Sequence, residues 1–164
     1  MPAAFPLHID LSDNNCTVFG NNKSAFRRVR ELLKFGAKVT VISPSLSPEL
    51  AELHAQGLVR HIPRKYYRGD CTNSQLCIAA TDDPAINIAI STECKAKGIP
   101  VSVTNPAAYG NFTFPRVLVC DDVVLSVSGD LPSEQLRQIC ARAKEALPVW
   151  LEEIRNEAKK SDEE

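Results

Sequence analysis

Three short stretches carry the residue types that handle an anionic or nucleotide ligand: Gly20-Asn21-Asn22-Lys23-Ser24-Ala25, Thr81-Asp82, and Asn105. The first follows the apolar run 16–19. It precedes Ala25, Val29, Leu32 and Leu33, which recur at spacings of three and four, with Arg27, Arg28, Arg30 and Lys34 at the other positions. That pattern predicts a buried strand, a tight turn and an amphipathic helix with a basic face. A turn feeding a helix N-terminus is where nucleotide phosphates bind, because unpaired N–H groups and the helix dipole both favour an anion. Against G-x-G-x-x-G/A, the turn keeps Gly20 and the small Ala25 but places Asn22 at the second glycine, where the backbone normally approaches a pyrophosphate. Asn tolerates positive φ, so the turn is expected to survive with a bulkier wall. On these residues alone, a helix-starting Asn/Ser turn without a ligand stays open.

The elements that must position these stretches follow in order. Gly36 falls where a helix C-cap is expected, and Lys38-Val-Thr-Val-Ile-Ser43 is a β-branched run, so 15–43 reads as a right-handed βαβ unit. Ser47-Pro48-Glu49 opens a second helix that stops at Gly57, and 58–62 is a third strand. Arg60, Arg64, Lys65 and Arg68, with Tyr66 and Tyr67 among them, are either a solvated connection or a contact for an anion. Residues 76–80 are fully apolar, as in a central parallel strand. Thr81-Asp82-Asp83-Pro84 ends that strand and starts a helix whose apolar side is Ile86, Ile90 and Cys94; residues 100–105 are the next strand. Ligands of open α/β sheets bind beyond the carboxyl ends of strands, which puts Thr81, Asp82 and Asn105 on the functional edge. For Thr81-Asp82 a plain capped helix remains the alternative.

Past residue 111 the pattern changes. Two strand runs flank Asp121-Asp122, a hairpin signal. From Ser133, Leu136, Ile139, Cys140, Ala143, Leu147, Trp150, Leu151 and Ile154 recur at helical spacing, with Pro148 expected to kink or break the helix. A hairpin and one helix make too little core to stand alone, so this region reads as an arm that packs on a second copy. Phe5, Leu7, Ile9 and Leu11 alternate, as in a short edge strand or an extended lead-in. The fold class is therefore α/β: a Rossmann-like parallel sheet over 1–110, a carboxyl-terminal β-hairpin plus helix dimerisation arm over 111–157, and a charged tail, 158–164, expected to be disordered.

A net charge of −1 over 164 residues gives no basis for a nucleic-acid or anionic-membrane partner. No apolar run reaches the roughly 18 residues of a spanning helix and no signal peptide is visible, so a soluble, cytoplasmic protein is expected. The six cysteines, at 16, 71, 77, 94, 120 and 140, form no C-x-x-C and no clustered ligand spacing. Cys16, Cys77 and Cys120 lie inside apolar strand-like runs and read as small core residues in a reducing cytoplasm, with no metal site assigned. A Cys71–Cys77 pair or a Cys/His metal site is the minor alternative. His8, His54 and His61 are scattered.

Together the stretches resemble the NAD-dependent precorrin-2 dehydrogenase/sirohydrochlorin ferrochelatase family, which includes the amino-terminal module of siroheme synthases. The resemblance rests on Phe5-Pro6-Leu7, Gly20 through Ala25 before a basic helix, and Leu32-Leu-Lys-Phe-Gly-Ala-Lys-Val-Thr-Val-Ile-Ser-Pro44. Ala79-Ala-Thr-Asp-Asp83 with Asn87, Thr113-Phe-Pro115 and Val127-Ser-Gly129 complete it. It implies a homodimer with NAD as hydride acceptor and the tetrapyrrole precorrin-2 as substrate, oxidised to sirohydrochlorin, with ferrous iron inserted by some members. By that likeness Gly20, Asn21, Asn22, Lys23 and Ser24 form the cofactor turn, Pro44 and Ser45 flank the ribose, and Thr81 and Asp82 close the nucleotide site. Asn105 takes the catalytic position, and Phe114 and Ser128 line the tetrapyrrole side.

Two departures bear on activity: Asn22 replaces the second fingerprint glycine, and Ser102-Val-Thr-Asn105 replaces Asn-x-x-Asp. An Asp carboxylate accepts a proton or attracts a metal ion, whereas Asn does neither well at neutral pH. Iron insertion is accordingly the activity most in doubt. The rival readings are a non-catalytic tetrapyrrole-binding or carrier protein of the same fold and an unrelated Rossmann-like nucleotide sensor. The second strand ends in Ile42-Ser43-Pro44, without the acidic residue that usually selects NAD over NADP.

Overall fold

Apolar runs bounded by glycine, proline and capping residues become the strands and helices of a computed structural model that describes residues 5–161. The chain divides into two compact units, Pro6–Thr113 and a second that comprises Phe5 and the residues from Phe114 onward. The first unit runs β1 (Asn15–Phe19), α1 (Lys23–Lys34), β2 (Lys38–Ile42), α2 (Pro48–Ala55), β3 (Val59–Ile62), β4 (Leu76–Ala79), α3 (Pro84–Ala96) and β5 (Val101–Val103). Its five strands are all parallel, in the order β3-β2-β1-β4-β5. The chain winds outward from β1 through β2 to β3, then returns to β1's other side with β4. Neighbouring β1 and β4 therefore form the topological switch point, beyond whose carboxyl ends such sheets bind ligands.

The local signals explain the boundaries. Ser47 caps α2 with Pro48 in its first turn, and the Asp83 side chain accepts the N–H groups of Ala85 and Ile86 at the start of α3. Helix α1 buries Ala25, Val29 and Leu32, and β4 is buried throughout, as a central parallel strand should be. Residues 5–11 are the extended lead-in and not a strand. Phe5 and Leu7 are 88% and 72% exposed, so the alternating pattern there finds no sheet to join.

The connection 63–75, where the basic stretch lies, is anchored by its own polar contacts. Arg64 makes two 2.7 Å bonds to Asp70, and Glu93 accepts from Tyr66 Oη, from the Gly69 N–H and from Lys97 Nζ. Tyr66 also packs edge-on against Phe19, with ring centroids 5.5 Å apart. Burial pushes the Glu93 carboxyl up, but hydrogen bonds from Lys97, Tyr66 and Gly69 outweigh it and hold the group below the ordinary 4.5. The bond from Arg64 likewise holds Asp70 below the ordinary 3.8. Depressed carboxyl values mean that the native state is favoured above the ordinary pKa and loses that stability as pH falls through the lowered values. The urea midpoint is expected to hold steady from neutrality down to the ordinary carboxylate range and then fall, and Glu93→Gln should flatten part of that fall. An unchanged acid limb in Glu93→Gln would show that the carboxylate does not anchor the connection.

The second unit contains the antiparallel hairpin β6 (Arg116–Cys120) and β7 (Val123–Val127), turning at Asp121 with φ 50°, and then α4 (Ser133–Ser161). Pro148 does not break α4, which runs through it. The tail expected to be disordered from 158 is helical as far as Ser161, and residues 162–164 lie outside the described residues. Helix α4 buries Cys140 and Leu147 while Ile139, Val149, Trp150 and Ile154 stay exposed. Among the described residues no helix is long and apolar enough to cross a membrane.

Candidate functional site

The turn after β1 is built on one backbone approach. Gly20 has φ +116°, and a Cβ there would stand 2.2 Å from the Ala80 carbonyl oxygen, so the turn after β1 lies directly on the end of β4. Positive φ is thus met at Gly20. Asn22, expected to need its tolerance of that region, has φ −80° and is the N-cap of α1. Its Oδ1 accepts from the N–H groups of Ser24 and Ala25 at 3.0 and 3.1 Å. Its Nδ2 donates to Ala80 O at 2.8 Å and to Asp82 Oδ1 at 3.0 Å. The amide that replaces a glycine is therefore a clamp between the first and fourth strand ends and not a passive wall.

Two further clamps complete the edge. Asn21 Nδ2 donates to Ser45 O and Oγ at 3.1 and 3.2 Å, and Ser43 Oγ donates to the same carbonyl at 2.7 Å, which fixes the Pro44-Ser45 loop beside the turn. Asn87, on α3 and fully buried, uses its whole side chain. Its Oδ1 takes the Thr81 N–H at 3.0 Å and lies 2.8 Å from Thr81 Oγ1, while Nδ2 donates to Thr81 O at 3.0 Å and Asn105 O at 2.9 Å. One side chain thereby holds the ends of β4 and β5 in register. This positioning role was not read from the sequence, although the signal was there: a polar amide one turn before Ile90 on the stripe that also holds Cys94.

The structure thus gathers Gly20, Asn21, Asn22, Ser45, Thr81 and Asp82 by direct contacts at the switch point, and brings Asn105 to Thr81 through Asn87. Pro44, Asp82 and Asn105 are exposed there, as is Lys23 on the first turn of α1. Phe114 and Ser128 belong to the second unit. The pairing of Arg116 with Val127 puts both at the open end of its hairpin. Among the described residues, the N–H groups of Asn22 and Lys23 find no acceptor within the chain. With the Lys23 ammonium they make a cationic N-terminal corner suited to a diphosphate, although Asn22 Oδ1 already occupies the next two amides.

Residues 7–116 match the family described as "Putative NAD(P)-binding". The chain is 32% identical over 146 residues to a siroheme synthase of Chromobacterium violaceum and 35% identical over 145 residues to one of Methylobacillus flagellatus. Each comparison covers 88% of this chain and 31% of the relative, so the chain spans about a third of the length of these curated relatives. Among solved structures, it resembles "SirC, precorrin-2 dehydrogenase" with a TM-score of 0.69 and 25% identity, covering 87% of this chain and 70% of that one.

Proposed function

From the premise that this chain belongs to the NAD(P)-binding family, we propose that it is an NAD-dependent dehydrogenase that oxidises precorrin-2 to sirohydrochlorin in siroheme synthesis. The observation that carries the reading is the switch-point edge, where a diphosphate corner and Asn105 are held within one hydrogen-bonded frame; the likeness to a precorrin-2 dehydrogenase over both units supports it. Gly20, Asn21, Asn22, Lys23 and Ser24 would hold the dinucleotide, with Pro44 and Ser45 at the ribose and Thr81 and Asp82 closing the site. When bound, the nicotinamide supplies a hydride acceptor. What the chain contributes is register: Asn87 fixes the backbone of Thr81 and Asn105, so the reacting carbon is presented at a set place. Asn105 orients a ring substituent by hydrogen bonding, and the proton released on oxidation leaves to water, since an amide does not accept it. Phe114 and Ser128 line the tetrapyrrole side.

The partner chain in this reading is a second copy, supported by the exposed Ile139, Trp150 and Ile154 of α4. Cytoplasmic placement is supported by six free thiols. Ferrochelatase activity is weak or lost in this reading, because the position whose carboxylate would take pyrrole protons holds an amide, Asn105.

The test is anaerobic turnover of precorrin-2 with NAD, followed by sirohydrochlorin absorbance. Turnover that depends on NAD supports the dehydrogenase. Macrocycle binding without turnover with NAD or NADP instead supports the second reading, a catalytically degenerate tetrapyrrole-binding or carrier protein, which the occupied amides of Ser24 and Ala25 favour. Two variants sharpen the choice. Asn105→Asp should raise turnover at least about tenfold, since a positioned acid–base group is worth roughly 10²- to 10⁴-fold; an unchanged rate would remove Asn105 from the chemistry. Asn22→Gly should release the Ser24 and Ala25 amides and tighten NAD binding in calorimetry. It should also cost about 1–2 kcal/mol of stability through the lost bonds to Ala80 and Asp82.

A further inference from the structure

Three of the six cysteines meet away from the carboxyl edge. Cys71 comes from the 63–75 connection, Cys77 from β4 and Cys94 from α3, and their Sγ atoms all lie within 4.8 Å of one another. Each is fully buried, in a cluster with Phe19, Ile90, Ile99 and Val101. Filling apolar volume calls for a small side chain at each place, but it does not call for three sulfurs from three separate elements to converge. Cys16 is equally buried and stands outside the group.

We propose that Cys71, Cys77 and Cys94 form a three-sulfur site for one soft d10 cation, with copper(I) as the ion the site suits. At a metal–thiolate bond of roughly 2.3 Å, three sulfurs in a trigonal plane stand about 4.0 Å apart, so the trio needs to close by less than about 1 Å. Thiolates select soft ions, whereas magnesium and calcium require oxygen ligands. Zinc favours four ligands in a tetrahedron, and among the described residues the group numbers three, Cys71, Cys77 and Cys94. The nearest carboxylate in sequence, Glu93, is engaged by Tyr66, Gly69 and Lys97, and the thiols lie among buried apolar side chains. Three-coordinate copper(I) needs no fourth ligand. Binding displaces thiol protons to solvent and cross-links the connection, the central strand and α3. Because Cys71 sits on the one ligand-bearing segment outside regular structure, opening of that connection gives the ion its way in.

The reduced full chain, handled without oxygen, is titrated with copper(I) against a competing copper(I) chelator. The expected result is one copper per chain, three sulfur neighbours in X-ray absorption, and a raised thermal midpoint. Cys71→Ala and Cys94→Ala should each weaken binding by more than about 100-fold, beyond what loss of a supporting contact costs, while Cys140→Ala, in the other unit, leaves it unchanged. If a trio variant fails to fold, the wild-type absorption spectrum decides by itself. Fewer than three sulfurs, no copper retained against the chelator, or full retention by Cys71→Ala each overturns the site.

Discussion

Gly20→Ala is expected to destabilise the first unit by about 4 kcal/mol, from two costs that add. A residue with a side chain held at φ +116° pays backbone strain of roughly 1–3 kcal/mol. The new methyl would also stand 2.2 Å from Ala80 O and 2.6 Å from Ala80 C, which are main-chain atoms of a buried strand end and cannot rotate away. Overpacking of that kind costs a further 1–3 kcal/mol, roughly, as the backbone shifts. A suitable control is Gly57→Ala. Gly57 also has positive φ, at +73°, but a Cβ there meets nothing within 4 Å, so only the conformational cost of about 1–2 kcal/mol remains. Urea unfolding of the two variants separates the terms. Equal losses would mean that the turn and the β4 end are not in hard contact, and the frame described for the site would be too loose to hold a cofactor.

That contact also marks where sequence reasoning stopped. The β1–α1–β2 unit was legible because its signals are local: an apolar run, a glycine, a 3.6-residue stripe, a second β-branched run. The same holds for Ser47-Pro48 and for the hairpin at Asp121-Asp122. The helix-starting role of Asn22 is local and legible, but its bonds to Ala80 and Asp82 are not, because those partners lie 58 and 60 residues away and no local pattern encodes them. The thiol cluster was missed for a related reason. Cys71, Cys77 and Cys94 show no ligand spacing along the chain, and only the β4–α3 crossover and the folded connection bring them together. Helix α4 illustrates the opposite error, a local rule overruled: Pro148 lies within a long apolar-striped helix that continues past it. Residues 5–11 carry a β alternation, yet no strand of the sheet pairs with them and the extended lead-in is what forms.

Asn87→Leu should cost about 3–4 kcal/mol and most of the turnover. Leucine keeps the branching and heavy-atom count of the fully buried asparagine but is bulkier, so a modest overpacking cost adds to that of the lost bonds. The Thr81 N–H and carbonyl and the Asn105 carbonyl lose their partner at once, while the Thr81 hydroxyl keeps its bond to Asp83 O. Each buried group left unpaired costs about 1–3 kcal/mol, reduced here because Thr81 and Asn105 can reach water. With the β4 and β5 ends no longer in register, turnover should fall by about 10²-fold, the loss a misplacement of 1 Å produces. Asn87→Asp separates shape from hydrogen bonding. Its carboxyl can still accept from Thr81, but when ionised it faces the carbonyl oxygens of Thr81 and Asn105 with no proton to give either. Burial and those two oxygens favour the protonated acid, so its folded pKa rises above the unfolded value. The variant is then most stable below the ordinary aspartate range and weakens as pH rises through the raised value, opposite in sign to the acid limb set by Glu93. Turnover and stability of Asn87→Asp should improve together on acidification. A variant equally stable at pH 5 and pH 8 would mean that Asn87 contributes volume alone, and that Asn105 is held by something other than α3.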